Sequence, residues 1–182
     1  MEGNIRQIVL TESQIQKRVK ELGAVISEDY GGAVPLLVGV LRGAILFIAD
    51  LVRAIDEELE VDFMAVSSYG STTRSSGVVR ILKDLDQDIR DRDVLIVEDI
   101  LDTGLTLNYL IKNLQTRQPK SIEVCALLVK KGKQKVRLTP KYHGFEIPDE
   151  FVVGYGLDLN ENYRNLPYVA TLKQGVLQTE FP

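Results

Sequence analysis

Three carboxylates and two hydroxyls fall within nine residues, in the order Glu98, Asp99, Asp102, Thr103 and Thr106. Four apolar residues, Val94-Leu95-Ile96-Val97, lead into them, and Leu107, Leu110, Ile111 and Leu114 follow at helical spacing. A strand that turns into a helix start leaves backbone N–H groups without acceptors. With the Thr103 and Thr106 hydroxyls beside them, such groups over Asp102, Thr103, Gly104, Leu105 and Thr106 suit a phosphate monoester, and Gly104 lets the chain approach it closely. Carboxylates next to a phosphate cradle repel the phosphate, so Glu98 and Asp99 must have another use. They can accept hydrogen bonds from sugar hydroxyls a few ångströms away, which points to a ribose diol.

The stretch Glu98-Asp99-Ile100-Leu101-Asp102-Thr103-Gly104-Leu105-Thr106 resembles the phosphoribosyl-pyrophosphate-binding signature of type I phosphoribosyltransferases, in the wording of the members that act on 6-oxopurines. The likeness runs from about Leu36 to Tyr168. It implies that Glu98 and Asp99 hold the ribose hydroxyls, that residues 102 to 106 hold the 5′-phosphate, and that Asp102 is the general base at purine N7. Gly39-Val40-Leu41-Arg42-Gly43 is similar to the family's pyrophosphate loop, which implies pyrophosphate contacts from Arg42 and Gly43 and a cis peptide between Leu41 and Arg42. Ser67-Ser68-Tyr69-Gly70 resembles the start of a flexible loop whose Ser68 and Tyr69 close over the reacting center.

Leu127-Leu128-Val129-Lys130, Phe151 to Asp158 and the later Arg164 are similar to the family's purine pocket. The resemblance implies that Lys130 donates to the exocyclic O6, Phe151 stacks on the ring, and the Val152 backbone reads the Watson–Crick side. Asp158 and Arg164 then serve the pyrophosphate end, Asp158 helping to hold a metal together with Glu98 and Asp99. A lysine donor prefers a keto oxygen and offers an adenine amino group nothing to accept it. The implied reaction moves the 5-phosphoribosyl group from phosphoribosyl pyrophosphate to N9 of hypoxanthine or guanine, giving IMP or GMP and pyrophosphate. Mg2+ is the implied cofactor, because it binds through few carboxylates plus substrate oxygens and water. Relatives are usually dimers or tetramers, so a homodimer or homotetramer is expected.

Elements able to position these residues are visible in the hydrophobic pattern. Thr11 with Gln14 spells a capping box, and Ile15, Val19, Leu22 and Ile26 recur on one helical face. Leu36 to Val40 reads as a buried strand feeding a helix from Ala44 to about Asp56. Val61 to Ser68, Val94 to Val97 and Ile122 to Val129 read as further strands, with a helix around Leu107 to Leu114 that Pro119 ends. Tyr69 to Gly77 has hardly an apolar anchor and reads as a mobile loop. Alternating strands and helices imply an α/β fold, a mainly parallel twisted sheet with helices on both faces, and ligands at the strands' carboxyl ends. One domain spanning 1–182 is expected: a core over about 11–135, and a small hood over about 136–182 assisted by the N-terminus.

Composition limits the alternatives. The net charge of -4 and pI near 5.2 offer no basic field for nucleic acid or anionic membrane. A ligand-sensing regulator of the same fold that binds RNA or DNA is the rival from another class, and it calls for a basic face that this composition lacks. Cys125 is the only cysteine and His143 the only histidine, so an internal disulfide and a histidine metal cluster are excluded, and a nucleophilic triad could draw only on His143, whose place near Pro140 and Gly144 reads as a surface turn. The N-terminus lacks a basic leader and the most apolar stretch is broken by Arg42, Asp50 and Arg53, so a cytoplasmic protein is expected. Asp102-Thr103-Gly104 is also the core triplet of aspartic proteases, but there it lies in an all-β context, whereas here a helix follows. Lys131 to Lys135 reads as a solvated charge run.

Overall fold

The structure, a computed structural model, describes residues 2–68 and 79–180. Strand β1 (Ile5–Leu10) is followed by helix α1 (Glu12–Tyr30), β2 (Leu36–Leu41), α2 (Ile45–Ala54) and β3 (Glu60–Ser68). Then come β4 (Val79–Lys83), β5 (Asp93–Leu101), α3 (Leu105–Gln115), β6 (Ser121–Lys130) and β7 (Tyr142–Ile147). Two short strands, β8 (Val152–Val153) and β9 (Val169–Leu172), and helix α4 (Gln174–Glu180) complete the order.

The central sheet has six strands in the order β4-β3-β2-β5-β6-β7, and every pairing is parallel except that of β3 with β4. Its inner strands β2, β5 and β6 carry near-continuous apolar runs because both faces are covered. On one face Ile15, Val19, Leu22 and Ile26 of α1 and Phe47, Ile48 and Leu51 of α2 pack over Leu37, Leu95, Val97, Cys125 and Leu127. On the other, Leu107, Leu110 and Leu114 of α3 pack over Leu36, Val38, Val94, Ile96 and Val124. Adjacent strand residues thus go to opposite cores, as the two-residue period requires.

Local chemistry fixes the element ends. Thr11 Oγ1 accepts the Gln14 N–H at 3.3 Å while Gln14 Oε1 accepts the Thr11 N–H at 2.9 Å, the two halves of the capping box that opens α1. The antiparallel edge is tied by Asp62, which is buried. Its carboxylate accepts the Phe63 N–H at 2.7 Å, the Asp86 N–H at 2.8 Å and the Lys83 ammonium at 3.3 Å.

A second sheet, antiparallel and ordered β1-β9-β8, stands apart from the first. The sequence places the start of this hood at about residue 136, but β7 pairs in parallel with β6 and extends the central sheet to Ile147. The short strand had no apolar run to announce it: Tyr142-His143-Gly144-Phe145-Glu146-Ile147 buries Tyr142 and Ile147 at its ends. Strands β1 and β4 and helix α4 also went unread in the sequence. Among the described residues no helix is long and apolar enough to cross a membrane.

Candidate active site

The carboxyl ends of the parallel strands bring the sequence motifs to one edge. Arg42 follows β2, Asp102 follows β5, Lys130 ends β6, and Ser68 ends β3, which runs parallel to β2. The crevice outside those ends is where open α/β sheets hold ligands. Tyr69, the other residue of the expected loop, lies outside the described residues.

Strand β5 runs further than its apolar core, through Glu98 and Asp99 to Leu101. The two acids therefore sit on opposite sides of the strand. Glu98 lines a cavity of roughly 120 Å³ with Leu101, Asp102, Thr103, Gly104 and Thr106, a volume of about four waters. Asp99 instead abuts the loop after β2: a Cβ placed on Gly43 would overlap the Asp99 carboxylate. Burial raises both acids, and for Glu98 the Asp99 charge adds to it; Asp99 is pushed up to about 6. Among the described residues Glu98 Oε2 is buried without a hydrogen-bond partner, and an orphaned carboxylate oxygen wants a hydroxyl donor or a cation.

Helix α3 opens without a side-chain cap. Gly104 stands at its N-cap with φ of 78°, a left-handed conformation that glycine adopts without penalty. The first intrahelical bond runs from the Asn108 N–H to the Gly104 carbonyl at 2.9 Å. The N–H groups of Leu105, Thr106 and Leu107 precede that bond, and Leu105 donates only to Thr103 Oγ1, at 3.4 Å. A helix start of this kind, at the edge of the cavity that Glu98 lines, suits an anion.

Asp102 sits between two lysines. Lys130 Nζ is 3.6 Å from Oδ2 and Lys133 Nζ is 3.5 Å from Oδ1, and both ammonium groups also reach Asp149 Oδ1, at 3.4 and 2.7 Å. Lys130 is buried. The run Lys131 to Lys135 is thus not merely a solvated face. Gln134 Nε2 donates to the Lys130 and Asp102 carbonyls at 2.5 and 3.5 Å, and the Lys135 N–H donates to the Thr103 carbonyl at 2.9 Å. This segment folds back over the turn from Asp102 to Thr106, and neither it nor Asp149 carries a sequence signal, because a lysine run pairs with solvent unless the fold closes it.

The peptide between Leu41 and Arg42 is cis. Arg42 Nη1 pairs with Glu161 Oε2 at 2.9 Å. Arg164 reaches the same oxygen at 3.2 Å, Asp158 Oδ1 at 2.9 Å and the Gly156 carbonyl at 2.7 Å. Gly156 in turn lies so close to the Gly43 carbonyl that a Cβ there would overlap it. The loop from Gly39 to Gly43, Asp99, Asp158 and Arg164 therefore converge. Val152 is buried and pairs with Thr171, while the Phe151 ring beside it is exposed.

Glu98, Asp99 and Asp158 do not form a ready-made cage. Among the described residues no three histidine, cysteine, aspartate or glutamate side chains gather as a metal site. The donors present fit an ion that takes one or two carboxylates and completes its shell with substrate oxygens and water.

Residues 7–160 match the phosphoribosyl transferase domain, which sets the class of the fold and cleft. The chain is 51% identical to the hypoxanthine-guanine phosphoribosyltransferase of Bacillus subtilis, over 98% of this chain and 99% of that one. Identity to the Mycobacterium tuberculosis enzyme of the same name is 54%, over 97% and 90% of the two chains. A crystal structure of a hypoxanthine phosphoribosyltransferase from Staphylococcus aureus matches with a TM-score of 0.93 and 49% identity, covering 97% of this chain and 96% of that one. The chain belongs to the hypoxanthine-guanine phosphoribosyltransferase family.

Proposed function

We propose that the cleft at the carboxyl ends of β2, β5 and β6 carries out purine salvage, transferring the 5-phosphoribosyl group of phosphoribosyl pyrophosphate to N9 of hypoxanthine or guanine. The products are IMP or GMP and pyrophosphate. The observation that carries this reading is an uncapped helix start beside a carboxylate that a buried lysine approaches to 3.6 Å. A sugar phosphate and an acidic heterocycle need those two devices side by side.

In this reading the amides and hydroxyls from Thr103 to Thr106 hold the 5′-phosphate, and Glu98 and Asp99 accept from the ribose hydroxyls. The C1′–O bond to pyrophosphate breaks as the N9–C1′ bond forms. Asp102 takes the N7 proton that the purine releases, so the charge appearing on the ring is neutralised in place. Lys130, shared between Asp102 and Asp149 in this structure, donates to O6 and fixes the base's orientation. Phe151 offers a stacking face and the Val152 backbone a reader for the Watson–Crick edge. Arg42, Gly43 and Arg164 receive the departing pyrophosphate, and Ser68 with Tyr69 covers the reacting center. Asp158, with the Glu98 and Asp99 pair, would hold Mg2+, which when bound neutralises pyrophosphate charge.

The two sheets act as one domain, with the central sheet supplying phosphate, ribose and proton chemistry and the hood supplying most of the base pocket. The acidic surface fits a cytoplasmic homodimer or homotetramer that takes small substrates and has no use for nucleic acid or membrane. Steady-state rates with hypoxanthine, guanine, xanthine and adenine, each with phosphoribosyl pyrophosphate and magnesium, test the reading. Transfer to hypoxanthine or guanine is expected, with adenine at least about a hundredfold lower in kcat/KM. Absence of transfer to any 6-oxopurine contradicts it.

A further inference from the structure

Arg42 and Arg164 come from distant parts of the chain, yet both guanidinium groups close on one atom, Glu161 Oε2, at 2.9 and 3.2 Å. We propose that Glu161 is an internal stand-in for pyrophosphate: its carboxylate holds the two arginines together when no ligand lies between them and must be displaced when phosphoribosyl pyrophosphate or pyrophosphate binds. The inference rests on the reading of Arg42 and Arg164 as pyrophosphate ligands.

Three observations carry it. First, two cations directed at one point repel each other unless an anion lies between them, and Glu161 is the carboxylate that both share. Second, the carboxylate is aimed by a set turn rather than by a free side chain. Asp158 Oδ2 accepts the Glu161 N–H at 2.8 Å, and Leu159 and Asn162 exchange backbone hydrogen bonds around it at 3.0 and 3.2 Å. Leu159 and Tyr163, on either side, are buried in the hood core. Third, Arg164 is otherwise fixed, through Gly156 and Asp158, whereas its Nε–H is buried without an acceptor among the described residues. The arginine holds its place and has donor capacity left.

Both Arg42 and Glu161 are well exposed, with side-chain accessibilities of 69% and 57%. An ion pair this exposed is weak, so a polyanion can displace it. The displaced carboxylate is then a like charge beside the pyrophosphate, and both effects work against binding. Glu161 thereby lowers affinity for phosphoribosyl pyrophosphate and for the product pyrophosphate together, which favors product release.

The test uses the whole enzyme with magnesium, and titration calorimetry with pyrophosphate alongside steady-state kinetics. E161Q keeps the shape and loses the charge. It is expected to bind pyrophosphate about three- to tenfold more tightly and to lower KM for phosphoribosyl pyrophosphate by a similar factor. KM for hypoxanthine should stay unchanged and kcat should not rise, and Glu161→Asp, one methylene shorter, should fall between E161Q and the native enzyme. Unchanged or weaker pyrophosphate binding by E161Q overturns the proposal, because a carboxylate that merely organises the arginines would give that result. R164Q separates this from the underlying reading. If it leaves pyrophosphate affinity intact, the pyrophosphate site itself is elsewhere; if it abolishes binding while E161Q fails to strengthen it, only the stand-in role is lost.

Discussion

Asp102 and Lys130 stand 3.6 Å apart, and a second lysine and a second aspartate close the ring around them. Removing the charge of Asp102 leaves Lys130 buried with Asp149 as its remaining carboxylate, so the pocket keeps its shape while losing its proton acceptor. Asp102→Asn is therefore expected to reduce kcat by about 10²- to 10⁴-fold with KM for phosphoribosyl pyrophosphate nearly unchanged. Single-turnover rates measure this directly, and a variant with an intact chemical step excludes Asp102 as the base. At this scale the sequence was most legible where a residue type has one use, as with acids placed beside a phosphate cradle. It was silent on Lys133, Asp149 and Glu161. Their positions depend on how residues 131–135 and 158–163 fold back, and charges on a surface loop look alike whether they meet solvent or each other.

The turn between β5 and α3 shows how an element fixes chemistry. Its helical and apolar spacing was readable, as were the capping box of α1 and the buried strands β2, β5 and β6, because each is a local pattern with a strong period. Strand β7 was not, since its place depends on parallel pairing with β6 and it lacks an apolar run of its own. Strand β5 also outran its apolar residues, because pairing with β6 continues past Glu98 to Leu101. Gly104 is the weak point of the turn. Besides its positive φ, a Cβ there would come within 2.9 Å of Val136 Cγ2. Gly104→Ala should cost about 1–2 kcal/mol, visible as a lower Tm, and should weaken IMP binding more than hypoxanthine binding. Equal losses for nucleotide and base would mean that the turn serves the fold and not the phosphate.

Across the whole molecule, the end of β5 carries an electrostatic cost. Asp99 rises in the fold from its ordinary value to about 6, and Glu98 rises too, both held out of water at the end of β5. A raised folded-state pKa means that the folded chain binds more protons than the unfolded one between about pH 4 and 6, so the free enzyme loses stability as pH climbs through that window. The melting temperature of the ligand-free protein should accordingly fall between pH 5 and pH 7.5. Asp99→Asn should flatten that slope and raise Tm at pH 7.5 by a few degrees. A slope that Asp99→Asn leaves untouched would place the effect elsewhere. Overall α/β architecture was readable from the alternation of strands and helices, whereas the seam between central sheet and hood was not. That seam is set by which strands pair across the chain, with β1 from one end joined to β9 from the other.

For the cleft to transfer a phosphoribosyl group, the start of α3 must hold the sugar phosphate. A crystal structure of the protein with IMP tests this most directly. The phosphate oxygens are expected within hydrogen-bonding distance of backbone N–H groups between Thr103 and Leu107, with the ribose hydroxyls turned toward Glu98 and Asp99 and O6 toward Lys130. An IMP phosphate bound away from that turn would contradict the account.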